Sequence, residues 1–251
     1  MRDKEMTEPA FETVLFNPAS RWLITCDHAS NTIPDNVNSG TLGLTNTEME
    51  RHIAYDIGAA GVTRHLAKYL NANAILSGFS RLVIDPNRGT DDPTLIMQLY
   101  DGTIVPGNRG LRPKDIKFRR QAFYDQYHTR YADLASARDD TVILAVHSFT
   151  PRLNGKTPRP WHIGVLYADD DRIAAPLLRR LRTQSDLLVG ENEPYAGHLP
   201  GDALDHHGLR HGRPNVLLEF RQDLITTGPE QHAWARRLAP ILTAALNDSG
   251  L

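Results

Sequence analysis

Two histidines stand where apolar runs give way to polar residues. His28 follows Trp22-Leu-Ile-Thr-Cys26 and Asp27, and His147 follows Thr141-Val-Ile-Leu-Ala-Val146. Side chains that leave a sheet at its strand ends converge in one crevice, which is where α/β proteins collect their chemistry. Neutral imidazoles on rigid elements are ligands for a divalent metal, and a carboxylate beside them completes a site for hydrolysing an amide with metal-activated water. The bland alternative is that one histidine ends a strand while the other hydrogen-bonds within the core.

The carboxylates that could join them are few. His52 and Asp56 are four residues apart in the predicted helix Thr47–Leu70, a spacing that puts both on one face within about 6 Å. An ordinary helix-surface hydrogen bond has the same spacing. Ile53, Ile57 and Val62 turn this helix inward, however, so Asp56 is a costly burial unless a cation faces it. Glu219 interrupts the apolar run Val216-Leu-Leu-Glu-Phe220. Such a carboxyl either pairs with a cation or has its pKa raised until it can move protons near neutrality. Arg221 is the nearest cation along the strand, and strand geometry is expected to keep the two from pairing side by side. Arg81 and the turn Asp85-Pro-Asn-Arg88 offer guanidinium forks for a substrate carboxylate. The cluster Asp205-His-His-Gly208, with His198 and His211 nearby, reads as a solvated loop, a substrate contact or proton relay, or a second metal site.

The elements needed to position these groups alternate along the chain. Strands are predicted at Trp22–Cys26, Ala74–Ser77, Leu82–Ile84, Thr141–Val146, His162–Tyr167 and Asn215–Phe220, and helices at Thr47–Leu70, Pro113–Arg138, Arg172–Arg182 and Pro229–Asn247. Alternation of this kind implies a three-layer α/β/α sandwich around a mixed, mostly parallel sheet. Residues 1–19 lack periodicity and read as a loosely held arm, leaving residues 20–251 as a single domain. Residues 29–46, 86–112 and 191–214 are long irregular stretches, of a length that in a compact domain is usually either functional or disordered.

Composition narrows the function classes. A chain of 251 residues with 40% hydrophobic and 23% charged residues can bury one substantial core. The formal charge of -2 argues against nucleic acid or an anionic membrane as partner, so any anionic ligand must be held by a few local arginines. The single cysteine, Cys26, precludes an intrachain disulfide and reads as packing within its strand. With neither a secretory leader nor a long apolar run, a soluble protein of the reducing cytoplasm is expected.

Six stretches together resemble the N-formylglutamate amidohydrolases, and more distantly the zinc carboxypeptidase and aspartoacylase fold. They are Thr25-Cys-Asp-His-Ala-Ser-Asn31, Arg51-His-Ile-Ala-Tyr-Asp-Ile-Gly58, Ser80-Arg-Leu-Val-Ile-Asp-Pro-Asn-Arg88, Val146-His-Ser-Phe149, Pro194-Tyr-Ala-Gly197 and Leu218-Glu-Phe-Arg-Gln-Asp223. The resemblance implies a zinc carboxypeptidase-like fold in which His28 and His147 bind zinc or another divalent transition metal. It implies that Glu219 activates water and then protonates the leaving amine, and that Asn87 and Arg88 grip a substrate carboxylate. Carboxypeptidases carry a zinc-binding glutamate three residues after the first histidine, where this chain has Asn31. Asp56 is therefore the expected third ligand, with His52 and Asn31 as alternatives. Arg81 is expected to steady the oxyanion, and His207 and Arg221 to contact substrate. The implied reaction releases formate, or another small acid, from a small N-acyl amino acid. The competing readings are a metal-dependent hydrolase of another N-acyl or peptide substrate, and a non-catalytic carboxylate-binding protein.

Overall fold

The structure, a computed structural model, describes residues 9–197 and 199–251; His198 lies outside the described residues. Seven strands form one sheet in the order β1-β3-β2-β6-β9-β7-β8. These are β1 (Phe11–Val14), β2 (Trp22–Cys26), β3 (Asn73–Ser77), β6 (Val142–Phe149), β7 (Ile163–Leu166), β8 (Val189–Glu191) and β9 (Asn215–Arg221). The β3/β2, β2/β6, β6/β9 and β7/β8 pairs are parallel, while β1/β3 and β7/β9 are antiparallel. The central strands β2 and β6 are buried along their whole length, which is why they read as unbroken apolar runs rather than alternating ones.

Helices cover both faces. Ile24, Cys26, Leu144, Val146, Val216 and Leu218 point to one side, where they pack with α2 (Ala59–Tyr69), α5 (Ala174–Leu181) and α7 (Gly228–Asp248). Leu23, Ile75, Ile143 and Ala145 point to the other, against Tyr127, Tyr131 and Ala135 of α4 (Asp125–Ala135). The result is a three-layer sandwich with a mostly parallel mixed sheet. No described helix is long and apolar enough to cross a membrane.

Several expectations need correction. The predicted helix Thr47–Leu70 is two helices, α1 (Asn46–Met49), closed by a Thr45/Glu48 capping box, and α2. Between them the chain turns at Gly58, whose φ of 80° precedes α2 and where a Cβ would run into the Ile225 carbonyl oxygen. His52 and Asp56 therefore sit on turns, not on one helix face. Leu82–Ile84 is a buried turn, since a short apolar run looks the same whether a strand or a turn is being buried. Part of the expected arm is ordered, because Phe11–Val14 adds β1 to the edge of the sheet. The helix predicted over Pro113–Arg138 is α3 (Pro113–Arg119) and α4 joined by a π-helical turn at Arg120–Tyr124. Within the irregular stretches lie a small hairpin, β4 (Leu99–Tyr100) with β5 (Thr103–Ile104), and the helix α6 (Ala203–His207).

Candidate active site

Parallel strands end at the same edge of a sheet, so the residues at the carboxyl ends of β2, β6 and β9 are brought together whatever their distance in sequence. His28 leaves β2, His147 is the sixth residue of β6, and Glu219 is the direct register partner of His147 on β9. The His28 and His147 rings meet edge to face with centroids 5.1 Å apart. Asp56 reaches them from the turn before α2. Its backbone N–H donates to the His28 carbonyl at 2.9 Å, and the Ser148 N–H donates to its Oδ2 at 3.3 Å.

The two imidazoles are arranged alike. His147 Nδ1 lies 2.8 Å, and His28 Nδ1 3.4 Å, from the same atom, Asp56 Oδ2. Each Nε2 turns outward to a different carboxylate, His28 to Asp85 Oδ1 at 2.7 Å and His147 to Asp27 Oδ2 at 3.2 Å. Asp27 in turn accepts from the Tyr127 hydroxyl at 2.6 Å, and Asp85 accepts from Arg81 Nη2 at 2.9 Å. Inward nitrogens converging on one carboxylate oxygen, with outward nitrogens fixed by further carboxylates, are the arrangement that orients histidines on a metal.

Charge is consistent with a divalent cation here. Asp27, Asp56 and Asp85 are all buried, and among the described residues Arg81 is the only arginine buried with them in this network. Two negative charges therefore remain to be matched. Burial alone would raise the Asp56 carboxyl, but the His28 and His147 rings beside it outweigh that and hold it well below the usual range. Burial would likewise lower His147, yet its bonds to Asp27 and Asp56 raise it well above an ordinary histidine. A proton on His147 supplies here part of the positive charge that a divalent cation would bring, and His28, Asp56 and His147 offer ligand atoms all within 4.8 Å of one another.

Glu219 is buried, and its Oε2 has no hydrogen-bond partner among the described residues. Burial pushes its pKa up to about 8, with Asp56 adding to the rise and His147 opposing it. The group borders a cavity of about 290 Å³ that also takes in His28, Asp56, Arg81, Asn87, Arg88 and His147. Arg88 uses Nε and Nη1 on neutral oxygens, those of Thr94 at 3.1 Å and Asn87 at 2.7 Å. Arg81, by contrast, is bound to Asp85 and lies 3.5 Å from Asp56. Asn87 contributes a side-chain oxygen that accepts from the Ala203 N–H.

Four expected site residues lie elsewhere or play no part in the converging trio. Asn31 donates to the Met49 carbonyl and Glu50, on the flank of α1. His52 borders the cavity, but its Nε2 is 3.5 Å from Asp101 and it does not belong to the converging trio. Arg221 and Glu219 are two residues apart and so share a strand face, contrary to the expected separation. Arg221 is nonetheless drawn off by Asp223 at 2.8 Å and the Pro160 carbonyl at 3.2 Å. His207 is on α6, stacked on Tyr131 with centroids 4.0 Å apart and bonded to His128 at 2.8 Å, outside the cavity. Burial, His128 and His206 lower its pKa to about 2, and burial lowers His128 to about 4.

Sequence reasoning also missed residues. Asp27 and Asp85 stood within quoted motifs but read as loop and turn residues, and Tyr127 gave no signal beyond its place in a helix. Arg159, with its guanidinium carbon 4.9 Å from the Tyr195 ring centroid and Nη1 3.0 Å from that hydroxyl, braces the cavity wall.

Residues 20–226 match the N-formylglutamate amidohydrolase family, and the chain belongs to it. It is an amidohydrolase-family protein, of a class that acts on carbon–nitrogen bonds. A gene product from Agrobacterium tumefaciens is similar to it with a TM-score of 0.90 and 32% identity, over 97% of each chain. An N-formylglutamate amidohydrolase from Ralstonia eutropha shares the fold with a TM-score of 0.71 at 18% identity, over 96% of this chain and 97% of that one. A search among curated proteins returns no match.

Proposed function

We propose that this protein is a zinc-dependent amidohydrolase of the cytoplasm that cleaves N-formylglutamate, or a closely related N-acyl amino acid, to the free amino acid and formate or another small acid. One observation carries the reading. Glu219, an unpartnered buried carboxyl poised near neutrality, sits in strand register beside His147, against the trio His28, Asp56 and His147.

A divalent metal held by that trio, zinc in this reading, supplies a Lewis acid for the amide carbonyl and for water. The chain does the rest. Glu219 Oε2 takes a proton from the attacking water and hands it to the departing nitrogen, a transfer suited to a carboxyl whose pKa lies close to working pH. Arg88 presents its fork to a carboxylate of the amino-acid half, while Asn87 holds the turn that carries it through the Ala203 bond. Arg81 lends positive field to the developing oxyanion while fixing Asp85 against His28. Asp27 and Asp85 keep each imidazole in the orientation that turns Nδ1 inward.

The test is a substrate panel on metal-stripped and zinc-reloaded protein. N-formyl-L-glutamate, N-acetyl-L-glutamate, an N-formyl amino acid without a side-chain carboxylate, and a dipeptide are compared by release of acid and of free amine. The proposal expects the highest kcat/KM on the first and none without metal. Preference for the acetyl compound or the dipeptide would move the substrate assignment, and turnover of none would favour a carboxylate-binding role.

A further inference from the structure

Behind the active-site turn, on the far side of Pro86, three more histidines converge. His128 lies on α4 and His206 and His207 on α6, with ring centroids 4.6 to 5.4 Å apart and ligand atoms all within 4.8 Å of one another. We propose that His128, His206 and His207 form a second metal site that takes a borderline divalent transition metal such as zinc, and that it braces the turn bearing Asp85, Asn87 and Arg88.

The hydrogen bonds set the donor atoms. His128 Nε2 is 3.0 Å from the Pro86 carbonyl oxygen, which can only accept, so Nε2 carries the proton and Nδ1 presents a lone pair. A backbone carbonyl fixing the outer nitrogen in this way is the usual support of a metal-bound histidine. That Nδ1 faces His207 Nε2 at 2.8 Å. Moving the His207 proton to its other nitrogen puts a second lone pair at the same point. A shared ion requires the pair to open to the roughly 3.3 Å edge of a tetrahedron with bonds of about 2.0 Å and the two rings, now nearly coplanar and nose to nose, to turn until their lone pairs converge. His207 is kept in place by its stack on Tyr131, and both buried rings are held neutral, as ligands must be. His206 is exposed and stands at an open pocket of about 640 Å³, which gives an ion its way in. Three imidazoles without a carboxylate favour zinc, copper or nickel over magnesium or calcium. The Pro86 carbonyl ties the site to the turn that carries Asp85, Asn87 and Arg88, so occupancy would stiffen the substrate side of the cavity from behind.

The experiment is equilibrium dialysis of untagged protein against zinc chloride, with the first site removed by His28→Ala and His147→Ala. About one zinc per chain is expected to remain in that double variant and to be lost on adding His206→Ala, an exposed change that leaves the core intact. His65→Ala is the control for surface histidines, since His65 and His232 also pair with centroids 5.1 Å apart, and it should change nothing. Should the double variant fail to fold, His206→Ala in the otherwise unaltered protein must lower the zinc content by one. No zinc in a folded double variant, or content indifferent to His206→Ala, would reduce the trio to a hydrogen-bonded ladder and overturn the proposal.

Discussion

Replacing Glu219 with glutamine keeps the size of the side chain and removes its charge and basicity, and the structure makes two opposed predictions for it. The folded protein holds this carboxyl at about 8 instead of the ordinary 4.5. Its folded value lies above its unfolded one, so at neutral pH the unfolded chain releases a proton that the folded chain retains. Wild-type stability is thus eroded progressively as pH rises from about 4.5 to about 8. At about 1.4 kcal/mol per pH unit, the cost at pH 7 is about 3 kcal/mol. A glutamine amide left without a partner offsets about 1 kcal/mol of the gain. Metal-free Glu219→Gln is therefore expected to be about 2 kcal/mol more stable than wild type at pH 7, with the advantage gone near pH 4.5. Urea unfolding across that pH range reads it directly. The same variant, reloaded with metal, should turn over about two to four orders of magnitude more slowly, the loss expected for a positioned proton-transfer group. A variant that is less stable at pH 7 and fully active would show that Glu219 is a structural residue, and the reasoning would be wrong at its root.

Three further outcomes follow from the contacts around the site. Arg88→Lys keeps the charge but loses the fork, so KM should rise for substrates with a free carboxylate and stay nearly constant for their esters; equal losses on both would remove Arg88 as the anchor. Tyr127→Phe deletes the hydroxyl that donates to Asp27, which steadies His147, and should weaken metal retention by about 10- to 100-fold in competition with a chelator; unaltered retention would show that Asp27 needs no such support. Gly58→Ala would press a methyl group into the Ile225 carbonyl at a positive φ, and a loss of at least about 1 kcal/mol in urea unfolding is expected, whereas wild-type stability would mean that the turn relaxes freely.

How much of this was legible in the sequence depended on the kind of burial. The strands β2, β6 and β9 could be read because strands covered on both faces leave continuous apolar runs, and the histidines stood out as polar residues at or just past the end of two such runs. Glu219 was visible as a charge inside such a run. What failed was anything decided by backbone sign or by distant packing. The apolar period through Ile53, Ile57 and Val62 continues smoothly across Gly58, yet the chain takes a positive φ there and turns. Asp101-Gly102, with positive φ at both residues, is a tight hairpin turn between β4 and β5 that lay unnoticed in an irregular stretch. Asp85 looked like the start of a turn because Asp-Pro-Asn is a turn sequence, and its contact with His28 spans 57 residues. His207 and Arg221 were expected to contact substrate, and what the sequence did not carry is their packing: His207 bonds to His128 as α6 packs against α4, and Arg221 bonds to Asp223 two residues on.

The central claim is that His28, Asp56 and His147 form a metal centre. Its most direct test is a crystal of zinc-treated protein measured at the zinc absorption edge. An anomalous peak bonded at about 2.0–2.2 Å to His28 Nδ1, His147 Nδ1 and an Asp56 oxygen, with Asp27 and Asp85 still on the outer nitrogens, is the predicted result. A map with no peak between the two rings, and with both imidazoles still bonded directly to Asp56, would contradict the account.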